Sequence, residues 1–228
     1  EGVAEQGGSV DVPEDQGRID YAVRGQAAYI TIANEAKRNA MSLALWRGVR
    51  DAVERAHADP EVRVMVLTGA GDKAFVSGAD ISEFDSTRDD PEGIAAYDRI
   101  VYGTCDAILE GPTPAIALIR GWCVGGGMQL AASCDIRVAD DGARFILPPA
   151  KLGIGYPIDG LARLVSLMGP AVTAELIFTA QVMNAERALC DGFVNHVVPM
   201  EEIDGKVTDL VEAISGTAPL THAAAKAA

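Results

Sequence analysis

The sequence predicts an α/β fold, and three observations carry that reading. Apolar runs at 62–68 and 115–119 have the length and composition of buried strands. Segments with helical spacing of apolar residues, Leu43 to Ala56 and Pro91 to Leu109, alternate with them. After about residue 160 only helix-length segments follow, joined by short Gly, Pro or Asn loops.

Taken in order, residues 1–17 are polar and glycine-bearing, with neither a basic start nor an apolar signal core, and read as a disordered tail rather than a targeting peptide. Residues 19–25 and 27–33 read as two short strands about Gly25. Leu45, Val49 and Val53 mark a helix from Leu43 to Ala56, stopped by Asp59-Pro60. A buried strand runs from Val62 to Thr68. A second helix over Pro91 to Leu109 puts Ile94, Tyr97, Ile100 and Val101 on one side. Strand, glycine-rich helix and strand occupy 114–139, and helices are expected near 160–167, 171–178, 184–190 and 201–214. With no fixed-period repeat and no long linker, 18–200 reads as one core and 201–228 as the start of a helical C-terminal region.

A chain of 228 residues with 49% hydrophobic content suits one packed domain. No apolar run approaches the ~18 residues of a membrane span, so no membrane partner is expected. A net charge of −14 argues against a nucleic-acid surface, which needs a concentrated basic patch. Cys105, Cys123, Cys134 and Cys190 lie in apolar segments without metal-type spacing and read as buried reduced thiols, with a cytoplasmic location as the default. His57, His196 and His222 have no Ser or Cys arrangement suggesting a triad. Gly69 to Ala74 fits G-x-G-x-x-A after a strand, but that dinucleotide mechanism needs a helix to begin there, and Phe75 to Ile81 reads as another turn.

Two glycine turns carry the chemistry. One is Phe75-Val76-Ser77-Gly78-Ala79-Asp80-Ile81, the other Gly121-Trp122-Cys123-Val124-Gly125-Gly126-Gly127-Met128-Gln129-Leu130. Each follows a strand-like run, and the second continues as a helix-like segment. Glycine lets backbone approach a ligand closely, and a helix start leaves N–H groups without internal partners. Two such turns can aim two donors at one anionic oxygen. Close packing of helix on strand is the competing reading.

The pair resembles the enoyl-CoA hydratase/isomerase family, also called the crotonase superfamily. Asn34 to Ser42, Cys134 to Ala139, Ala188 to Asn195 and Ala218-Pro219-Leu220 are similar to its other landmarks, in the family's order. The resemblance implies a ββα spiral core, a trimer or dimer of trimers, and an acyl-CoA substrate that brings its own coenzyme A, with no metal or redox cofactor. It implies thioester-oxygen donors at the Ala79 and Gly126 N–H groups, inside a substrate-binding set that includes Gly78, Asp80, Ile81 and Gly125. Ser77 and Ala40 match positions near the CoA adenine. Lys37, Arg38 and Lys73 are candidates for its phosphates. Family members usually continue with further helices beyond the Ala-Pro-Leu segment that help cover the CoA site, so the expectation is either a missing end or an open site.

One departure decides the chemistry. Typical hydratases of the family carry a glutamate two positions after the glycine triplet and another twenty positions farther on; here those positions are Gln129 and Pro149. Hydration needs a base to activate water and an acid for the α-carbon, each worth ~10²–10⁴-fold. Neither residue supplies one. Efficient hydration is therefore not expected, and isomerisation, C–C cleavage or decarboxylation stay open. The Pro149, Leu152, Gly153, Tyr156 pattern is similar to the family's methylmalonyl-CoA decarboxylases, although those carry a histidine where this chain has Ala79. Tyr156 is either catalytic or a packed loop aromatic. Asp159 is either an acid/base or the cap of the next helix. A CoA-thioester-binding scaffold without catalysis is the rival from another class.

Overall fold

The computed structural model describes residues 8–10, 17–83 and 91–227. The first sheet has seven strands: β1 (Gly8–Val10), β2 (Arg18–Arg24), β3 (Ala27–Ala33), β4 (Val64–Gly69), β6 (Ala115–Ile119), β8 (Ile136–Asp140) and β11 (His196–Val198), adjacent in that order. β1 to β3 pair antiparallel, and every pair from β3 onward is parallel. The second sheet is β10 (Met183–Asn184), β9 (Arg144–Ile146), β7 (Trp122–Val124) and β5 (Ala74–Val76). β5, β7 and β9 run parallel, and β10 pairs antiparallel with β9.

Three times, a longer strand of the first sheet is followed by a three-residue strand of the second and then a helix. β4 and β5 lead to α2 (Pro91–Glu110), β6 and β7 to α3 (Gly126–Ser133), and β8 and β9 to α4 (Pro149–Leu152). This is the expected ββα repeat. The loops differ so much in length that it has no fixed period in sequence.

Period-two alternation explains the continuous apolar runs. Met65 and Leu67 of β4 and Ala115, Ala117 and Ile119 of β6 enter the main core with Trp46, Phe75, Phe145 and Phe193. Val64 and Val66, Ile116 and Leu118 face the other way, onto Ile203 and Val207. Those last two belong to α7 (Ile203–Ser215), so the C-terminal helical region covers the far face of the first sheet. α1 (Leu43–Ala58) closes the near face with Leu45, Trp46, Val49, Ala52 and Val53. The Ser42 hydroxyl caps it by accepting from the Leu45 N–H at 3.2 Å.

Several expectations need correction. The predicted tail falls mostly outside the described residues, but Gly8–Val10 pairs with β2 as a strand. On α2 the buried face is Tyr97, Val101, Thr104, Cys105 and Ile108, and Ile94 is exposed. Cys105, Cys123 and Cys134 are buried, whereas Cys190, at the end of α6 (Ala185–Cys190), is exposed. The two helices expected at 160–167 and 171–178 are borne out as the halves of α5 (Ile158–Thr179), separated by a non-helical break at Gly169, where φ is 77° ahead of Pro170. Counted across that break, α5 is long and apolar enough to cross a membrane by length and composition alone. It is tied to the core through buried Leu164, Met168, Thr173 and Leu176 and through the ion pair of Arg163 with Asp106 on α2. The last helix, α8 (Pro219–Lys226), is pinned where Lys226 Nζ meets Asp135 at 2.6 Å.

Candidate active site

β5, β7 and β9 lie side by side and parallel, so the turns that leave them emerge at one end of the second sheet. Those turns hold Ser77 to Ala79, Gly125 to Gly127, and Leu147 to Pro149. Crevices at the carboxyl ends of parallel strands are where α/β sheets bind ligands.

The first turn is zipped to the loop 34–42. Met41 N–H donates to Gly78 O at 2.8 Å, and Asp80 N–H donates to Met41 O at 2.9 Å. These two bonds straddle Ala79, whose own N–H therefore points away from Met41, as alternate groups of a strand must. Gly78 has φ 107°, which a side chain rarely adopts, and a Cβ there would stand 3.6 Å from Val124 O, so this turn lies against the end of β7.

The second turn is built on Gly125, with φ 51° and ψ −107° as the residue before α3. Its N–H donates to Ile146 O at 2.9 Å, joining the second turn to the third. Gly126 is the first residue of α3, where an N–H has no intrahelical acceptor. Among the described residues neither Ala79 N–H nor Gly126 N–H has a partner. Beneath Gly126 lies the indole of Trp46, which a Cβ at 126 would approach to 3.1 Å.

One helical turn past Gly126, Gln129 is almost wholly buried, and its Nε2 donates to the Tyr156 hydroxyl. Its Oε1 is buried without a partner among the described residues. Burial pushes the Tyr156 phenol well above the usual range, an effect the Gln129 hydrogen bond only partly opposes and nearby Tyr102 reinforces. Tyr156 is thus a neutral hydroxyl at any physiological pH. Pro149 is buried at the first position of α4, a turn of helix where the sequence reads as loop. The pair of positions that would hold two carboxylates holds an amide and a pyrrolidine ring.

The remaining expected residues divide. Ala40 is buried in the loop 34–42, and Ser77 Oγ donates to Lys37 O at 3.1 Å, so both stand beside the first turn. Lys37 is not a spare cation: its Nζ pairs with Asp80 at 2.6 Å, over a carboxylate whose side chain is only 9% exposed. Burial alone would raise the Asp80 carboxyl, but hydrogen bonds from Lys37 and Ser82, with the Lys37 charge, hold it below the ordinary range. Arg38 is exposed, with φ 53°. Ile81 is 66% exposed just beyond the turn. Lys73 enters β5 at its opposite end, four residues or roughly 13 Å of extended chain from Ser77. Asp159 is exposed in the first turn of α5, whose cap position is Pro157, so the capping reading is wrong. Its charge is felt at the Tyr102 phenol on α2, as the smallest of the effects that raise or lower it.

Sequence reasoning missed the loop's clamp. Asn39, 1% exposed with φ 57°, donates to Ala70 O and Ala74 O at 2.9 and 2.7 Å and accepts from Asn34 N–H at 3.0 Å. Asn34 in turn donates to Ala40 O at 2.9 Å. Two asparagines flanking a short polar stretch were the available signal, since asparagine tolerates positive φ. The dinucleotide reading of Gly69 to Ala74 fails because β5, not a helix, begins at Ala74.

Comparison with known proteins agrees with this arrangement. The sequence model of the enoyl-CoA hydratase/isomerase family matches residues 23–228. A crotonyl-CoA hydratase of Syntrophomonas wolfei is 35% identical over 191 residues, covering 83% of this chain and 72% of that protein. A short-chain-enoyl-CoA hydratase of Clostridium acetobutylicum is 34% identical over 197 residues, covering 86% and 74%. The crystal structure of an enoyl-CoA hydratase/carnithine racemase from Magnetospirillum magneticum superposes with a TM-score of 0.89 at 36% identity, covering 92% of this chain and 78% of that one. With the sequence match spanning nearly the whole core and the fold reproduced in a solved relative, this chain belongs to the enoyl-CoA hydratase/isomerase family.

Proposed function

We propose that the chain is an acyl-CoA enzyme that stabilises a thioester enolate without the acid–base pair of a hydratase. One observation carries the reading: two N–H groups without partners among the described residues, on Ala79 and Gly126, at the ends of neighbouring parallel strands. A thioester oxygen bound there gains negative charge as the enolate forms, and fixed donors stabilise it by ~3–4 kcal/mol each. The coenzyme A portion runs along the loop 34–42 and Ser77, with Arg38 rather than the Asp80-paired Lys37 left for its phosphates. The reading invokes no metal or redox cofactor. The assembly proposed is a trimer or dimer of trimers.

Gln129 and Pro149 then select among reactions. A neutral amide cannot take a proton from water, and Tyr156 stays protonated. Reactions that draw their electron pair from a breaking C–C bond need no base. In a decarboxylation, CO₂ leaves, the bonding pair moves through the α-carbon onto the oxygen held by Ala79 and Gly126, and as that pair returns the α-carbon takes a proton from water. The relatives at 34–35% identity include proteins named as hydratases, and the two substitutions argue that hydration is weak here.

Incubation with a panel of acyl-CoAs in D₂O, read by mass spectrometry, tests this. CO₂ loss, or deuterium uptake without hydration, is the expected result. Rapid D₂O addition to crotonyl-CoA would overturn the reading of the missing carboxylates. Binding without turnover on any member would leave a CoA-thioester scaffold. Gln129→Glu together with Pro149→Glu is expected to raise crotonyl-CoA hydration by at least tenfold, within the ~10²–10⁴-fold that one acid or base supplies.

A further inference from the structure

α1 and α2 pack side by side, joined where the Thr104 hydroxyl donates to Trp46 O at 3.1 Å. Between them opens a cleft of about 440 Å³ lined by Arg47, Arg50, Ala96, Arg99 and Ile100. Helical spacing gathers these residues: 47 and 50 on α1, and 96, 99 and 100 on α2, lie three or four apart and share a face of each helix. The volume suits a small molecule. None of the lining residues belongs to the loop 34–42 or to the turns at 77–79 and 125–127.

Its charge runs against that of the chain. The sequence has 33 acidic and 19 basic residues, yet three arginines and no carboxylate line this cleft. Arg50 shares its charge with Glu54, which accepts its Nε–H at 2.7 Å. Arg47 and Arg99 form no ion pair among the described residues, and Asp51, four residues beyond Arg47, is exposed and does not pair with it. Two of the three charges therefore stay uncompensated. Arg50 is also held in place, because a Cβ at Gly103 would stand 2.9 Å from its Nη1 and the guanidinium lies against the α2 backbone. A side chain fixed in this way loses little freedom when an anion arrives.

We propose that the cleft between α1 and α2 binds a diphosphate-bearing small molecule, at a site separate from the thioester site. Guanidinium forks match phosphate oxygens two at a time, and Arg47 and Arg99 present theirs from facing helices with Arg50 beside them. Ala96 and Ile100 supply an apolar wall for the organic part of such a ligand. The net charge of −14 repels an extended polyanion, which favours a compact one. The inference makes no use of the donors at Ala79 and Gly126.

The test is calorimetric titration with pyrophosphate and with uridine diphosphate in 0.15 M NaCl, where charges beyond about 8 Å are screened. Saturable binding is expected. Arg47→Gln combined with Arg99→Gln should weaken it at least about tenfold, the scale of one lost charge-assisted contact. Melting temperature and affinity for coenzyme A should not change in that variant, since both side chains are exposed and outside the coenzyme's proposed path. Arg18→Gln combined with Arg24→Gln removes the same charge from β2 and should weaken binding less than about twofold. Tighter binding of uridine diphosphate than of pyrophosphate would assign the cleft to an organic diphosphate, and equal binding to the diphosphate group alone. Absence of saturation up to about 10 mM, equal losses in the two double variants, or unchanged affinity in the cleft variant would overturn the site. A parallel loss of coenzyme A affinity would overturn its separateness, by making the cleft part of the coenzyme's own site.

Discussion

The two ends of the small parallel sheet use glycine in opposite ways. At the end where β5, β7 and β9 begin, Gly121 has φ 62°, and a Cβ there would fall 2.3 Å from Lys73 O. Every polar group around it is satisfied: Gly121 N–H donates to Asp140 at 2.6 Å, Trp122 N–H to Lys73 O at 3.0 Å, and Arg144 N–H to Gly121 O at 3.0 Å. At the other end Gly78, Gly125 and Gly126 surround two N–H groups that donate to nothing among the described residues. Glycine alone therefore does not mark a site. Two half-buried backbone donors left unspent on neighbouring turns are what separates this end from the other.

The largest expected effect comes from removing one of those donors. Gly126→Pro deletes the N–H at a position where proline is tolerated, the first of a helix. Its control is Gly126→Ala, which adds the same Cβ toward Trp46 at 3.1 Å but keeps the N–H. If the donor works, turnover in the proline variant falls about 10²–10³-fold below that of the alanine variant, at similar melting temperature. Equal turnover in the two would reduce this end of the sheet to a packing feature like the other.

Gly121→Ala breaks the opposite end and should do the opposite. Left-handed backbone and a collision with Lys73 O leave the new methyl no place, because the obstacle is main chain. A loss of about 2–4 kcal/mol is expected, read as a fall in melting temperature of roughly 5–12 °C, with turnover per folded molecule unchanged. Asp140→Ala acts on the same end more mildly. It strands the Gly121 N–H in a buried setting, for about 1–3 kcal/mol.

How much of this was readable follows from element length. β4 and β6 are long enough to show continuous apolar runs, and α1 and α2 to show helical spacing, so the first sheet and its near-side helices were legible. The strands of the second sheet have three residues or fewer, too short for any periodicity, and β7 and β9 passed as loop. The oxyanion turns were legible because their glycines are contiguous in sequence. The pairs that define the rest of the site are not: Gln129 meets Tyr156 across 27 residues, and Lys37 meets Asp80 across 43. Lys37 reads as a candidate phosphate ligand in sequence because its partner, Asp80, lies on another loop. Asp159 read as a cap because Asp-Gly before an apolar run is the usual signal, yet the extended backbone of Pro157 already starts the helix.

That Lys37–Asp80 pair gives the smallest and sharpest test of the comparison, since it holds the turn carrying Ala79 where packing holds the other end. Asp80 titrates below its ordinary value in the folded chain, against ~3.9 unfolded. The unfolded chain therefore binds the proton first on acidification. The pair's contribution is fully present above pH ~4 and is lost as pH falls through the lowered folded value. Asp80→Asn should cost about 1–2 kcal/mol at pH 7, a shift of roughly 3–6 °C, and the deficit should shrink toward zero in acid. Lys37→Met should cost at least as much, because it leaves the buried Asp80 carboxylate with Ser82 but without its cation. A deficit in Asp80→Asn that stays constant down to pH 2.5 would mean the carboxylate charge contributes nothing, and that the turn is held by Met41 through the two main-chain bonds alone. In that case the ends of the sheet would differ in their donors but not in how they are built.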